Sequence, residues 1–189
     1  MTIGVLALQG DFARHEQALG RCGVAAIPIR RAAELDTVSG LVIPGGESTT
    51  LLRLLEAGQF VPAIERFHRA GKPIFGTCAG LILLAREVEQ PRQFSLGLID
   101  VTVERNAYGR QRESFSAPGT AVLDGRPTDV EMVFIRAPRV RRVGAGVSSL
   151  ASLKDEAVLV REGNVLGATF HPELTADPTI HRYFCSMAA

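Results

Sequence analysis

Lys72-Pro73-Ile74-Phe75-Gly76-Thr77-Cys78-Ala79-Gly80-Leu81-Ile82-Leu83 reads as a short apolar strand, Lys72–Gly76, that breaks at small residues and runs directly into a helix predicted over Ala79–Glu87. The segments before it repeat the alternation. Ile3–Leu8 is a buried strand, Asp11 to about Leu19 is helical, and Ala25–Ile29 is a second strand. Gly40–Ile43 is a third strand that runs into Pro44-Gly45-Gly46. Thr50–Ala57 has helical character, with Ser48 or Thr49 as its N-cap, and Val61–Ala70 is a further helix closed by Gly71. Short apolar strands alternating with helices predict a parallel sheet covered on both faces.

Beyond residue 90 the character changes. Leu98–Val103, Ala121–Leu123, Val130–Ile135, Ala157–Arg161 and Val165–Phe170 read as strands with little helix between them, and Glu162-Gly163-Asn164 as the hairpin turn joining the last two. These are expected as antiparallel additions to one continuous sheet, in a single domain over residues 1–189. The expected fold is therefore α/β with a mostly parallel central sheet. In such sheets chemistry gathers beyond the carboxyl ends of the strands, which directs attention to the loops after Leu8, Ile43, Gly76 and Phe170.

Composition narrows the class. The 189 residues are 46% hydrophobic and 22% charged, as in an ordinary globular chain, and 21 basic residues nearly cancel 20 acidic ones. No long-range field is available to recruit nucleic acid or an anionic membrane, so neither is an expected partner. Three cysteines, Cys22, Cys78 and Cys185, suggest neither a disulfide framework nor a metal site. With no basic leader and no apolar run of membrane-spanning length, the expected location is the reducing cytoplasm.

Gly76-Thr77-Cys78-Ala79-Gly80 has the logic of a nucleophile elbow, in which small residues let a tight turn hold one side chain clear of the sheet. A helix beginning at Ala79 aims free N–H groups at the sulfur and favours its thiolate, and the Ala79 N–H is a candidate oxyanion donor. The plain alternative is a structural cysteine beside a tight turn. Cys22 and Cys185 lack this context and read as inert small hydrophobes.

Phe170-His171-Pro172-Glu173 supplies the matching base. Pro172 pushes His171 into an extended conformation, where residues i and i+2 share a face. Glu173 is then placed to orient one ring nitrogen while the other meets a thiol. His15, His68 and His181 fall on predicted helices with no carboxylate so placed, and read as structural or solvated.

Pro44-Gly45-Gly46-Glu47-Ser48-Thr49 could be mistaken for a phosphate cradle, but it lacks the P-loop lysine, and Glu47 would repel a phosphate. A backbone donor at Gly46, completing an oxyanion hole with Ala79, fits better, and Glu47 is suited to an α-ammonium. Arg105, opening Arg105–Gln111, and Arg136, in Phe134-Ile135-Arg136-Ala137-Pro138, are candidates for an α-carboxylate.

Together these segments resemble the class I glutamine amidotransferases, over essentially the whole chain. The closer resemblance is to the glutaminase subunits of pyridoxal 5'-phosphate synthase. It is carried by Ile3-Gly-Val-Leu-Ala-Leu-Gln-Gly10, the Pro44–Thr49 loop, Gly76–Gly80, Arg105–Gln111, Phe134–Pro138 and Phe170-His-Pro-Glu-Leu174. It implies a three-layer flavodoxin-like fold and a Cys78–His171–Glu173 triad that hydrolyses L-glutamine without metal or cofactor. It also implies glutamine contacts from Gly46, Glu47, Ser48, Arg105, Ile135 and Arg136. The implied partner is a synthase subunit that makes pyridoxal 5'-phosphate from ribose 5-phosphate, glyceraldehyde 3-phosphate and ammonia. Docking on it activates the glutaminase, with Gln9 near the contact. Two other classes stay open on the residues alone: a cysteine peptidase-like hydrolase on a similar scaffold, and a non-catalytic binding module.

Overall fold

A computed structural model describes residues 1–105 and 114–189. In chain order the elements are β1 (Thr2–Leu6), α1 (Phe12–Arg21), β2 (Ala25–Ile29), a 3-10 turn (Ala32–Thr37), β3 (Gly40–Ile43), α2 (Ser48–Ala57), α3 (Phe60–Arg69), β4 (Ile74–Thr77) and α4 (Ala79–Leu84). There follow β5 (Ala85–Glu89), β6 (Ile99–Glu104), β7 (Ser114–Leu123), β8 (Arg126–Ile135), β9 (Arg139–Val143), β10 (Ser148–Leu153), β11 (Glu156–Glu162), β12 (Val165–Ala168), a 3-10 turn (Pro172–Leu174) and α5 (Thr179–Met187).

The main sheet has the order β10-β11-β12-β4-β3-β1-β2. Its five parallel strands, read as 2-1-3-4-12, follow the flavodoxin-like winding, which switches direction between β1 and β3. The loops leaving the carboxyl ends of β1, β3, β4 and β12 therefore open at one edge. Alternate side chains on these strands divide into two cores. Leu6, Ile43, Ile74 and Val165 pack with α2, α3, α4 and the β5–β6 region. Val5, Val42, Phe75 and Leu166 pack with α1, α5 and the β7–β8 hairpin. The result is three layers, with both faces of the sheet covered.

Two expectations need correction. The later strands do not all extend one sheet. β11 does, antiparallel, with β10 beyond it, but β5, β6 and β9 form a separate three-stranded sheet, and β7 and β8 form a two-stranded one; β9 and β10 are additional to the expected strands. Nor does the helix after Cys78 reach Glu87. It ends at Leu84, and Ala85–Glu89 pairs with β6. The carbonyls of Leu83, Leu84 and Ala85 accept from the N–H groups of Leu96, Leu98 and Gly97. A distant segment thus takes the acceptors that further turns would have used. The other early elements lie within a few residues of their predicted bounds, and Gly163-Asn164 does turn β11 into β12.

One close approach locks β3 to α4. A Cβ built on Gly80 would collide with the carbonyl oxygen of Ile43, so only glycine lets the helix lie this near the strand. Gly80→Ala is expected to cost about 3 kcal/mol in urea unfolding. Gly20→Ala on α1, where the added carbon meets open space, should be neutral or stabilising by up to about 1 kcal/mol. Equal midpoints for the two variants would contradict this packing.

Candidate active site

Cys78 sits between β4 and α4 at φ 49°, ψ −103°, the strained conformation of an elbow. The glycines flanking it act differently from the sequence expectation. The chain takes its positive φ at Cys78 itself, while Gly76 and Gly80 are needed because their neighbours press close. Backbone bonds hold the elbow: Cys78 N donates to Ala168 O at 2.8 Å, and Ile82 N to Cys78 O at 3.2 Å. The first N–H groups of α4, Ala79 included, have no acceptor within the helix.

His171 follows β12 and is tied to the β8 strand by His171 N donating to Val133 O at 2.8 Å. Its ring Nδ1 lies 2.7 Å from Glu173 Oε1, and both residues are buried, at 6% and 2% exposure. The pair forms as expected but for a different reason. Pro172 opens a 3-10 turn over Pro172–Leu174, so Glu173 folds back to the ring across a turn and not along an extended strand. Cys78 acts on the same ring. Burial alone would lower the imidazole pKa, but hydrogen bonding and charge from Cys78 and Glu173 outweigh it and raise the pKa to about 10. His171 therefore carries a proton at neutral pH.

The glycine loop closes over this pair. A Cβ on Gly45 would stand 2.5 Å from His171 Cε1 and 3.3 Å from Cys78 Cβ, so the loop passes close to both. Gln9 packs against Gly46, and its Oε1 accepts from Glu47 N at 3.4 Å. The cap of α2 is Glu47, in place of the predicted Ser48 or Thr49. Its carboxylate accepts from Thr49 N at 2.9 Å and Thr50 N at 2.7 Å, and from the Thr50 hydroxyl. These bonds, led by the Thr50 hydroxyl, lower its pKa to about 2.

A pocket of about 270 Å3 is lined by Gly46, Glu47, Ser48, Cys78, Arg105, Ile135, Arg136 and His171, with Asp11 and Ile82 added by the fold. Every expected glutamine contact is thus brought to one place. The two arginines differ in availability. Arg105 donates to Thr49 Oγ1 at 2.9 Å and lies 3.7 Å from Glu47. Among the described residues, Arg136 has neither a hydrogen bond nor an ion pair. Ser48 is buried, and its hydroxyl donates to Gln93 Oε1 at 3.2 Å. Residues 106–111 of the Arg105 loop, with Tyr108, lie outside the described residues. A larger cavity of about 510 Å3 lies elsewhere, between Pro118–Thr120, Asp129–Glu131 and Asp177, and among the described residues neither cysteine nor histidine lines it.

The expectation that His15 has no carboxylate near it also needs correction. It is fully buried, with Nε2 3.4 Å from Glu173 Oε2. A signal for this existed: His15 falls in register with Ala18 and Leu19 on the buried face of α1, an unusual place for an unpartnered imidazole.

Comparison with known proteins identifies the class first. A crystal structure of a glutamine amidotransferase has a TM-score of 0.91 and 47% identity, with 98% of each chain covered. Two more distant structures share the fold: a GMP synthase-type protein from Thermoplasma acidophilum (TM-score 0.71, 18% identity) and PurLQS from Thermotoga maritima (0.74, 14%). The architecture is that of the class I glutamine amidotransferases. Within that class, the chain belongs to the SNO glutamine amidotransferase family, which it matches over residues 5–189. Its relatives include proteins named pyridoxal 5'-phosphate synthase subunit PdxT. That of Koribacter versatilis is 51% identical over 99% of this chain and 95% of its own length. For that of Brevibacillus brevis the figures are 49%, 99% and 97%, and for that of Deinococcus radiodurans 48%, 100% and 97%.

The His171 pKa can be read directly by NMR. Its imidazole should stay protonated past pH 8, and in Cys78→Ala its titration midpoint should fall, because one of the groups holding the proton is gone. A midpoint near 6.5 in the unaltered chain would contradict the site as described.

Proposed function

We propose that the chain hydrolyses L-glutamine to L-glutamate and ammonia through Cys78, His171 and Glu173. The ammonia passes to the synthase subunit of pyridoxal 5'-phosphate synthase, which condenses it with ribose 5-phosphate and glyceraldehyde 3-phosphate. The chain works as one glutaminase domain, in the cytoplasm, and Gln9 belongs to the surface that meets the synthase subunit. Among the described residues no helix is long and apolar enough to cross a membrane.

One observation carries the reading. A protonated imidazole, held by a buried carboxylate, adjoins a cysteine on a strained elbow at the wall of a small polar pocket. At about 270 Å3 the pocket lies at the lower end of small-molecule sites, which suits a free amino acid better than a polypeptide. Kinship with amidotransferases over almost the whole chain also disfavours a cysteine peptidase.

The chemistry follows from the placement. The proton of the Cys78–His171 pair lies on His171, and the sulfur attacks the side-chain amide carbon of glutamine as a thiolate. The N–H groups of Ala79 and of the Gly46 region receive the oxyanion, and losing one such donor costs about 3 kcal/mol of barrier lowering. His171 then protonates the departing nitrogen, which leaves as ammonia, and a γ-glutamyl thioester remains on the sulfur. His171, now neutral, takes a proton from water as it attacks the thioester, which releases glutamate and returns the proton to the Cys78–His171 pair. Glu173 holds the imidazole in register throughout. The guanidinium of Arg136, unpaired among the described residues, binds the substrate α-carboxylate, and Arg105 and Ser48 shape the wall beside it. Glu47 faces the α-ammonium while capping α2, and Ile135 packs on the methylene chain.

Assembled with a synthase subunit, Cys78→Ala should lose glutamine-supported pyridoxal 5'-phosphate formation by at least about a thousandfold, while added ammonia still supports it. Glutamine-supported turnover within about tenfold of normal would overturn the assignment.

A further inference from the structure

Behind the site, on the side of Glu173 away from His171, lies a second set of polar side chains that the chemistry above leaves unused. His15 on α1, His181 on α5 and Thr77 at the end of β4 are all 0% exposed. His15 Nδ1 lies 3.0 Å from His181 Nε2, and His15 Nε2 lies 3.2 Å from Thr77 Oγ1 and 3.4 Å from Glu173 Oε2. Glu173 Oε1 is taken by His171, whereas Oε2 is buried without a hydrogen bond among the described residues, with His15 Nε2 standing 3.4 Å away.

The protons in this row can be assigned by elimination. Two ring nitrogens 3.0 Å apart must share one hydrogen, so one ring donates and the other accepts. His181 Nδ1 is buried with no partner. A proton there would be a donor without an acceptor, whereas a bare nitrogen in the same place is tolerated at lower cost. The His181 proton therefore sits on Nε2 and points at His15 Nδ1. That leaves the His15 proton on Nε2, hydrogen-bonded to Thr77 Oγ1 with the acceptor-only oxygen of Glu173 beside it. We propose that His15 is a positioning residue of the glutaminase centre, fixed in one tautomer by His181 so that its Nε2–H braces the second oxygen of Glu173 and holds the carboxylate in line with His171. The inference rests on the Cys78–His171–Glu173 reading given above.

Electrostatics agrees with this arrangement. Burial, then the charges of His181 and His171, push the His15 pKa well below its ordinary 6.5. Burial, then Arg21, bring that of His181 to about 4, with Asp177 opposing. Both rings stay neutral in the working range, so the row delivers one oriented N–H to the carboxylate and no charge that would draw it away from His171. Among the described residues, the titratable and charged groups that act on the row are Glu173 and His171 after β12, His181 on α5, Arg21 on α1 and Asp177 before α5. For packing alone an apolar side chain would fill the place of His15 against the ring of Phe75, with no polar atoms to satisfy.

Two conservative substitutions separate the contacts. A glutamine amide reaches about where Nε2 lies, and an asparagine amide about where Nδ1 lies. In the complex with the synthase subunit, H15Q should keep the native alkaline limb of kcat/KM for glutamine. H15N should move that limb down by about one pH unit, because Glu173 out of line no longer helps to hold the proton on His171. In H15N kcat should also fall about tenfold or more while KM changes less than about twofold. The same limb in H15N, H15Q and the unaltered chain would overturn the proposal. Should the variants fail to assemble, 15N spectra of the unaltered imidazoles decide. His15 and His181 should both be Nε2–H tautomers that do not titrate between about pH 5.5 and 8.5, and an Nδ1–H His15 would overturn it. Cys78→Ala, run beside them, keeps the two ideas apart. Glutamine turnover by that variant would sink the triad reading, whereas its loss together with an unmoved H15N limb would sink only the role of His15.

Discussion

A carboxylate exposed to only 2% cannot remain charged unless the groups around it replace the water it has lost, and that requirement on Glu173 organises the structure around the site. One oxygen meets the imidazole of His171 and the other faces the edge of His15. Meeting both conditions draws together four parts of the chain: the turn after β12, the elbow after β4, α1 and α5. Each belongs to an element that also contributes to the core on one side of the sheet, where Phe75, Leu166 and Phe184 pack. The polar centre and the apolar core therefore depend on each other, since neither face could be moved without stranding the charge.

The winding of the sheet does the remaining assembly. With the parallel strands ordered 2-1-3-4-12, the loops after β1, β3, β4 and β12 end side by side, which places Gln9, Gly46, Cys78 and His171 within one neighbourhood from distant parts of the sequence. Such a junction tolerates little bulk. The loop at Gly45 runs against both Cys78 and His171, and α4 lies on β3 only because residue 80 has no side chain. Cys78 itself carries the backbone strain of the turn, at a cost of order 1–3 kcal/mol that the surrounding packing must hold in place. The pocket is divided in charge as well. Arg105 is engaged with Thr49 and Glu47, leaving Arg136 as the guanidinium with no partner among the described residues.

Much of this was legible in the chain. The alternation of apolar strands and helices up to Cys78 indicates the parallel core, because buried parallel strands are short continuous apolar runs and need no knowledge of their neighbours. The Gly76–Gly80 elbow and His171-Pro172-Glu173 were legible because each is a local arrangement, with its geometry set within a few residues. What was missed depends on distant partners. Nothing near Leu84 says that α4 must stop there; residues 96–98 decide it by occupying its carbonyls. Ser48 and Thr49 looked like caps by type, yet the longer Glu47 side chain reached the free N–H groups first. Of the later strands, β6, β8, β11, β12 and the end of β7 are legible locally, but β9 and β10 are not, and the grouping into three sheets depends on pairings between segments far apart in the chain. The surroundings of His15 are not written locally, because its carboxylate lies near the other end of the chain and only its place on the buried face of α1 points to a partner.

The central claim is that the Cys78 sulfur, and no other atom of this chain, carries the glutamyl group during turnover. Acid quenching of the assembled enzyme while it consumes glutamine, followed by peptide mapping by mass spectrometry, tests this directly. The account predicts a γ-glutamyl adduct on the peptide that contains Cys78, and none on the peptides of Cys22 or Cys185. Steady glutamate release with the adduct on another residue, or with no adduct under conditions that preserve thioesters, would contradict it.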